Sequence, residues 1–118
     1  MRVFYYLKSC NTCKKIIKEL NLSSKIKLVD IKTNPINKKQ FEIIYSISGS
    51  FKKIFNKRSL LYKQRNLKNK TLSESDYKPL ILEHYTFLKR PVLLYTNKLF
   101  IGNSKNTINE IKKFLNEK

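Results

Sequence analysis

Cys10 and Cys13 are the two cysteines of this 118-residue chain, and they stand three apart as C-x-x-C. An apolar run, Val3-Phe4-Tyr5-Tyr6-Leu7, precedes them and an amphipathic run, Ile16-Ile17-Lys18-Glu19-Leu20, follows. Strand, Cys-x-x-Cys and helix in that order is an arrangement that suits thiol–disulfide chemistry. A thiolate at a helix N-terminus meets the positive end of the helix dipole and unpaired backbone N–H groups. Both favour the anion, so the sulfur becomes nucleophilic near neutral pH. Cys10 is expected to be the exposed nucleophile, with Cys13 attacking the resulting mixed disulfide. Lys14 and Lys15 bring positive charge nearby and are expected to lower the thiol pKa further.

Two buried, inert thiols are one alternative, and a metal site is another. Zinc asks for four ligands. His84 is the remaining nitrogen ligand and no second Cys-x-x-Cys exists, so reactive thiols are favoured. A bond across so small a loop would add little chain-entropy stabilisation, which also favours reactivity over a scaffold role. Arg90-Pro91-Val92 is the second feature. A proline that opens a strand is a place for a cis bond, and the arginine ahead of it suits contact with a thiolate or an oxyanion. Spacing alone favours an ordinary trans proline behind a helix-ending arginine.

The elements that must position these groups follow from periodicity. Residues 2–7 read as a strand. Residues 11–20 read as a helix with Ile16, Ile17 and Leu20 on one face. Residues 26–31 read as a second strand. Asn34 as N-cap and Pro35 at the first position predict a helix that carries Phe41, Ile44 and Tyr45 and stops at Gly49. Phe51, Ile54 and Phe55 suggest one helical turn, 56–59 a loop, and 60–67 another short helix. Ser73 to Asp76 resembles a capping box, and Pro79 leaves open whether the following helix starts there. Arg90-Pro91 is expected to end that helix. Val92–Tyr95 and Leu99–Ile101 read as strands joined by a turn, and a last helix carries Ile108, Ile111, Phe114 and Leu115. The order is β-α-β, a helical middle, then β-β-α. A crossover helix makes the first two strands parallel, and the short turn makes the last two antiparallel. The expected fold class is therefore α/β and thioredoxin-like, with a mixed four-stranded sheet. It forms a single domain over 1–118 with a helical insertion at about 34–89.

The net charge of +18 invites a nucleic-acid reading. Only Arg2, Arg58, Arg65 and Arg90 of the 26 basic residues are arginine, and the lysines spread along the whole chain. No specific nucleic-acid partner is expected from that pattern. No apolar stretch approaches the ~18 residues of a membrane helix, and no signal-peptide core precedes Lys8. The expectation is a cytoplasmic monomer without a membrane partner.

Three separated motifs carry a family resemblance. They are Tyr5 with Cys10, Thr12, Cys13, Lys14 and Lys15; F-N-K-R-S-x-x-Y over 55–62; and L-K-R-P-V over 88–92 followed by I-G-N-S over 101–104. In order and spacing they resemble the arsenate reductase-like ArsC/Spx family over nearly the whole chain. The resemblance implies a thioredoxin-like fold with a helical insertion, Cys10 as nucleophile, a cis Pro91, and Arg90 against the Cys10 sulfur. Glutaredoxin-linked arsenate reductases of that family use a lone cysteine and three arginines. Here Arg90 matches, while Asn56 and Gly102 stand near the other two positions. Cys13 is similar to the second cysteine of the Spx branch, whose members carry a redox switch and bind RNA polymerase. The expected catalytic residues are Cys10, Cys13 and Arg90, and the expected substrate-binding residues are Arg90, Pro91, Arg58, Lys14 and Thr12. The expected activity is a thiol–disulfide oxidoreductase that acts on an arsenate-type oxyanion or a disulfide. The rival is an Spx-like redox regulator. No bound cofactor or metal is expected, and glutathione/glutaredoxin or thioredoxin would restore the dithiol.

Overall fold

The computed structural model describes residues 1–118. Four strands form one sheet: β1 (Arg2–Tyr6), β2 (Lys27–Asp30), β3 (Val92–Tyr95) and β4 (Lys98–Ile101), in the order β2-β1-β3-β4. β1 runs parallel to β2, with Tyr6 opposite Asp30. β3 runs antiparallel to both β1 and β4. This is the mixed, thioredoxin-like sheet that the element order predicts. The β3–β4 turn is tight enough to hold Thr96 at φ 57°, in the left-handed region that short hairpins require.

The chain divides into two compact units, 1–34 with 90–118, and 35–89. The first holds the sheet, α1 (Asn11–Leu20) and α6 (Lys105–Asn116). Alternation along β1 sends Phe4 to one face, where it joins Ile16, Ile26, Leu93, Phe100, Ile108 and Ile111 in one apolar cluster. Full burial of such side chains stabilises by about 1.5–3 kcal/mol each relative to exposure. α6 starts at Ser104, whose Oγ accepts the Thr107 N–H at 3.1 Å. α1 and α6 are tied at the surface by the Lys112–Glu19 ion pair.

The second unit contains α2 (Lys38–Ser48), α3 (Phe51–Ile54), α4 (Leu60–Gln64) and α5 (Glu74–Glu83), with single 3-10 turns at Leu67–Asn69 and Tyr85–Phe87. Phe55 stacks on Phe87 at 5.3 Å and meets Tyr77 at 4.8 Å between ring centroids. Tyr77 is buried, whereas Tyr62 and Tyr85 are half-buried.

Two boundaries differ from expectation and a third, which Pro79 leaves open in the sequence, is settled, each for a local reason. α2 is capped by Asn37, not Asn34: Asn37 and Gln40 exchange side-chain-to-backbone bonds in a capping box, which satisfies two donors at once. Asn34 is instead spent on a turn, its N–H donating to the Asp30 carbonyl at 2.9 Å. α5 begins at Glu74 and runs through Pro79. The Ser73–Asp76 capping box fixes its start, and buried Tyr77 and Ile81, four apart, supply its packed side. Pro79 is exposed, so water can reach the carbonyl that its missing N–H leaves free. Finally, α5 ends at His84 rather than at Arg90-Pro91. His84 caps it, and its Nδ1 accepts the Thr86 N–H at 3.1 Å to start the 3-10 turn.

Candidate functional site: a thiol pair with an arginine

The site lies in the first unit, where β1 passes into α1. Leu7 ends the apolar run, and its carbonyl accepts the Cys10 N–H at 2.9 Å. That turn delivers Cys10 to the N-cap of α1, with extended φ −89° and ψ 114°. Its carbonyl accepts the Lys14 N–H at 3.1 Å, the first bond of the helix. Both cysteines are free thiols; Cys10 is half-exposed and Cys13 is buried. One turn of helix therefore separates a reachable sulfur from a shielded one.

Partial burial opposes ionisation of Cys10, but other groups outweigh it. The Cys13 N–H and thiol, the Thr12 N–H and the Arg90 charge together hold the Cys10 pKa below its ordinary value. The sulfur closes no cap bond of the kind that Ser59 makes with the Tyr62 N–H at 3.0 Å. Its stabilisation is softer, spread over several donors at the positive end of the helix. Cys13 shifts the other way. Burial pushes its thiol up to about 11, helped by the neighbouring Cys10 and opposed by a backbone hydrogen bond from Leu7 and by Arg90. Of the two sulfurs, Cys10 is therefore the one favoured as the anion and Cys13 the one favoured as the hydrogen-bond donor.

Arg90 reaches this pair from the far end of the chain. The Arg90–Pro91 bond is cis, as the family resemblance implies. Pro91 is buried, and its carbonyl accepts the Gly102 N–H at 2.9 Å, which ties the start of β3 to the end of β4. The Arg90 Nη1 is buried and has no hydrogen-bond partner. A guanidinium nitrogen of that kind is a donor held ready for an anion.

The other sequence-predicted residues fall as follows. Thr12 contributes through its backbone N–H, while its side chain is exposed. Lys14 and Lys15 are exposed, and the charge that lowers Cys10 is that of Arg90 instead. Their side chains leave the helix sideways, whereas the N–H groups of its first turn point along the axis at the sulfur. Arg58 belongs to the second unit, exposed, with its N–H donating to Asn56 Oδ1 at 3.0 Å. Asn56 is also held by its Nδ2 donating to the Thr86 carbonyl at 3.1 Å and its N–H to Phe87 at 2.7 Å. Gly102 has φ +96°, a conformation that side-chain-bearing residues rarely adopt. Neither position supplies a cation. No group of three or more His, Cys, Asp or Glu side chains suited to a metal ion is present, and no helix is long and apolar enough to cross a membrane.

Sequence reasoning passed over Leu7, whose carbonyl holds the Cys10 N–H and whose backbone also hydrogen-bonds the Cys13 sulfur, because main-chain roles leave no residue-type signal. It also passed over the Asn37-x-x-Gln40 cap, for which the spacing was present.

Comparison with known proteins agrees with this architecture. The model of the ArsC family matches residues 5–111. The chain is 31% identical over 111 residues to the uncharacterized protein YusI of Bacillus subtilis, covering 91% of this chain and 94% of YusI. Among solved structures it is similar to SACOL0876 from Staphylococcus aureus, at 29% identity and a TM-score of 0.71 over 93% of this chain and 97% of that one. A Streptococcus mutans protein described as a possible arsenate reductase is 27% identical, with a TM-score of 0.67 over 89% of this chain and 92% of that one. With a match that covers β2, β3, β4, the end of β1, both cysteines and Arg90-Pro91, the chain belongs to the ArsC family.

Proposed function

We propose that the protein is a thiol-dependent reductase of the arsenate reductase-like type, with Cys10 as nucleophile, Cys13 as resolving thiol and Arg90 as the anion-stabilising group. The observation that carries this reading is the pairing of a pKa-lowered, half-exposed Cys10 with buried Cys13 and a spare Arg90 donor. With a disulfide substrate, the Cys10 thiolate attacks one sulfur, forms a mixed disulfide and releases the other sulfur as a thiolate. Cys13 then gives up its proton and attacks Cys10 Sγ. A Cys10–Cys13 disulfide forms and the second substrate thiol leaves. The substrate gains two electrons and the dithiol loses two, which glutaredoxin with glutathione, or thioredoxin, returns.

A disulfide suits the site better than a multiply charged oxyanion. Arg90 is the charged side chain that acts on Cys10. Gly102 has no side chain, and Asn56 is spent on Thr86 and Arg58. Each charge-assisted hydrogen bond is worth about 1.5–3 kcal/mol, so an oxyanion held by one arginine is bound far less firmly than by three. Thr12 and Pro91 would border the substrate sulfur, and Lys14 would act as an outer charge.

The test is turnover of the pure protein with a model disulfide and, separately, with arsenate, each supplied with glutathione/glutaredoxin or with thioredoxin. The expected result is disulfide reduction that Cys10→Ser abolishes, with Cys13→Ser trapping the mixed disulfide. Full activity of Cys10→Ser overturns the assignment. The same pair would also serve a redox sensor of the Spx kind. Retention of RNA polymerase from cell extract that depends on the Cys10–Cys13 redox state would favour that role over turnover.

A further inference from the structure

β2 ends at Asp30, which lies opposite Tyr6 at the end of β1. The ladder continues one step further, with the Ile31 N–H donating to the Tyr6 carbonyl at 2.9 Å. Just past this point the Asp30 side chain crosses to the other chain segment. Its Oδ1 accepts the Lys8 N–H at 3.1 Å, a contact between residues 22 apart in sequence. The carboxylate is held from its own side as well. Oδ1 also accepts the Lys32 N–H at 3.4 Å, and Oδ2 accepts the Thr33 hydroxyl at 3.2 Å.

The Lys8 N–H and the Leu7 carbonyl belong to one planar peptide group and point in opposite directions. The Leu7 carbonyl is the acceptor of the Cys10 N–H. Fixing one end of this plane fixes the other, and each hydrogen bond polarises the next. The chain of contacts therefore runs from Asp30 Oδ1 through the Leu7–Lys8 peptide to the backbone of Cys10. Nothing in the thiol–arginine chemistry above uses Asp30.

We infer that Asp30 is a positioning residue for Cys10, holding the Leu7–Cys10 turn so that the sulfur stays at the N-terminus of α1. This rests on the reading of Cys10 as the attacking thiolate. The role belongs to the acceptor oxygen rather than to the charge. The charged side chain that acts on Asp30 is Lys8, Tyr6 stands across the ladder, and the groups that act on Cys10 are Cys13, Thr12 and Arg90. Acceptor and charge are separable: Asp30→Asn keeps an Oδ1 for Lys8 and loses the charge, Asp30→Glu keeps the charge and displaces the acceptor, and Asp30→Ala loses both.

The experiment is the pH dependence of iodoacetamide alkylation at Cys10 in the full chain, beside thermal melts. Asp30→Ala is expected to react about three- to tenfold more slowly at neutral pH, an upward shift of about half to one pKa unit. Asp30→Glu should follow it, while Asp30→Asn should match the wild type. Wild-type titration of Cys10 in Asp30→Ala overturns the inference, as does an Asp30→Asn variant that reacts as slowly as Asp30→Ala. If Asp30→Ala does not fold, the Glu and Asn variants decide by the same criterion. A wild-type Cys10 that itself titrates as an ordinary thiol overturns both readings, and the wild-type curve alone identifies that case.

Discussion

Replacement of Cys13 by alanine tests how the Cys10 thiolate is held. The substitution removes the S–H that donates to Cys10 but leaves the Cys13 and Thr12 N–H groups and the Arg90 charge in place. A hydrogen bond to a charged group is worth about 1.5–3 kcal/mol, and one pKa unit corresponds to about 1.4 kcal/mol. A thiol is a weak donor, and solvent screens a half-exposed sulfur, so the low end applies and the expected rise is about one unit. Cys13 itself stays protonated until about 11, so thiolate absorbance near 240 nm below pH 9 reports Cys10 alone. The Cys10 pKa should rise in Cys13→Ala and stay near the wild-type value in Cys13→Ser, whose hydroxyl still donates. Alkylation rates measured across the same pH range should move in parallel. Equal titration curves for the alanine and serine variants would refute the reasoning, because the helix N–H groups and Arg90 would then carry the stabilisation without Cys13.

Tyr5 is fully buried with a hydroxyl that has no partner, so Tyr5→Phe should be neutral or stabilising, by up to about 1 kcal/mol. Clear destabilisation in urea unfolding would mean that the hydroxyl is satisfied. Gly49 closes α2 at φ 71° with open space around its Cα, so Gly49→Ala should cost about 1–2 kcal/mol through backbone strain alone, and an unchanged denaturation midpoint would contradict this. Asp30, Asp76 and Glu83 all have lowered pKa values: Asp30 and Glu83 through hydrogen bonds that outweigh slight burial, and Asp76 through its cap bonds to Ser73. Their unfolded forms bind protons first, so their contribution is complete above the ordinary carboxylate range and is lost as pH falls through the folded values. The melting temperature should therefore drop below about pH 4, and Asp76→Asn should flatten that drop.

Much of this protein is written locally. Val3 with a run of aromatic residues marks β1, the apolar run Val92-Leu93-Leu94-Tyr95 marks β3, the Cys-x-x-Cys marks the mouth of α1, and the 3.6-residue spacing of Ile108, Ile111 and Leu115 marks α6. These are short-range signals, because a strand or an amphipathic helix is encoded by its own neighbours. The Ser73–Asp76 box is equally local, and it appears as expected. Competing local signals were harder to rank. Asn34-Pro35 and Asn37-x-x-Gln40 are both acceptable starts, and the Asp30 carbonyl, by accepting the Asn34 N–H, left Asn37 to cap the helix. Pro79 reads as a breaker, yet the cap before it and the burial of Tyr77 and Ile81 around it keep α5 continuous.

The sequence by itself determined the strands, the main helices, the directions of the β1–β2 and β3–β4 pairings and a Cys-x-x-Cys at the start of α1. Only the tertiary structure decided what acts on that pair. Arg90 and Cys10 are brought together by antiparallel pairing of β1 with β3, and Asp30 reaches Lys8 through parallel pairing of β1 with β2. It also decided that Cys13 is shielded while Cys10 is reachable, and that the Arg90 charge, rather than Lys14, bears on the thiolate. The reason is physical. Backbone geometry and local side-chain spacing set the elements, whereas burial and electrostatics depend on neighbours that only folding brings close.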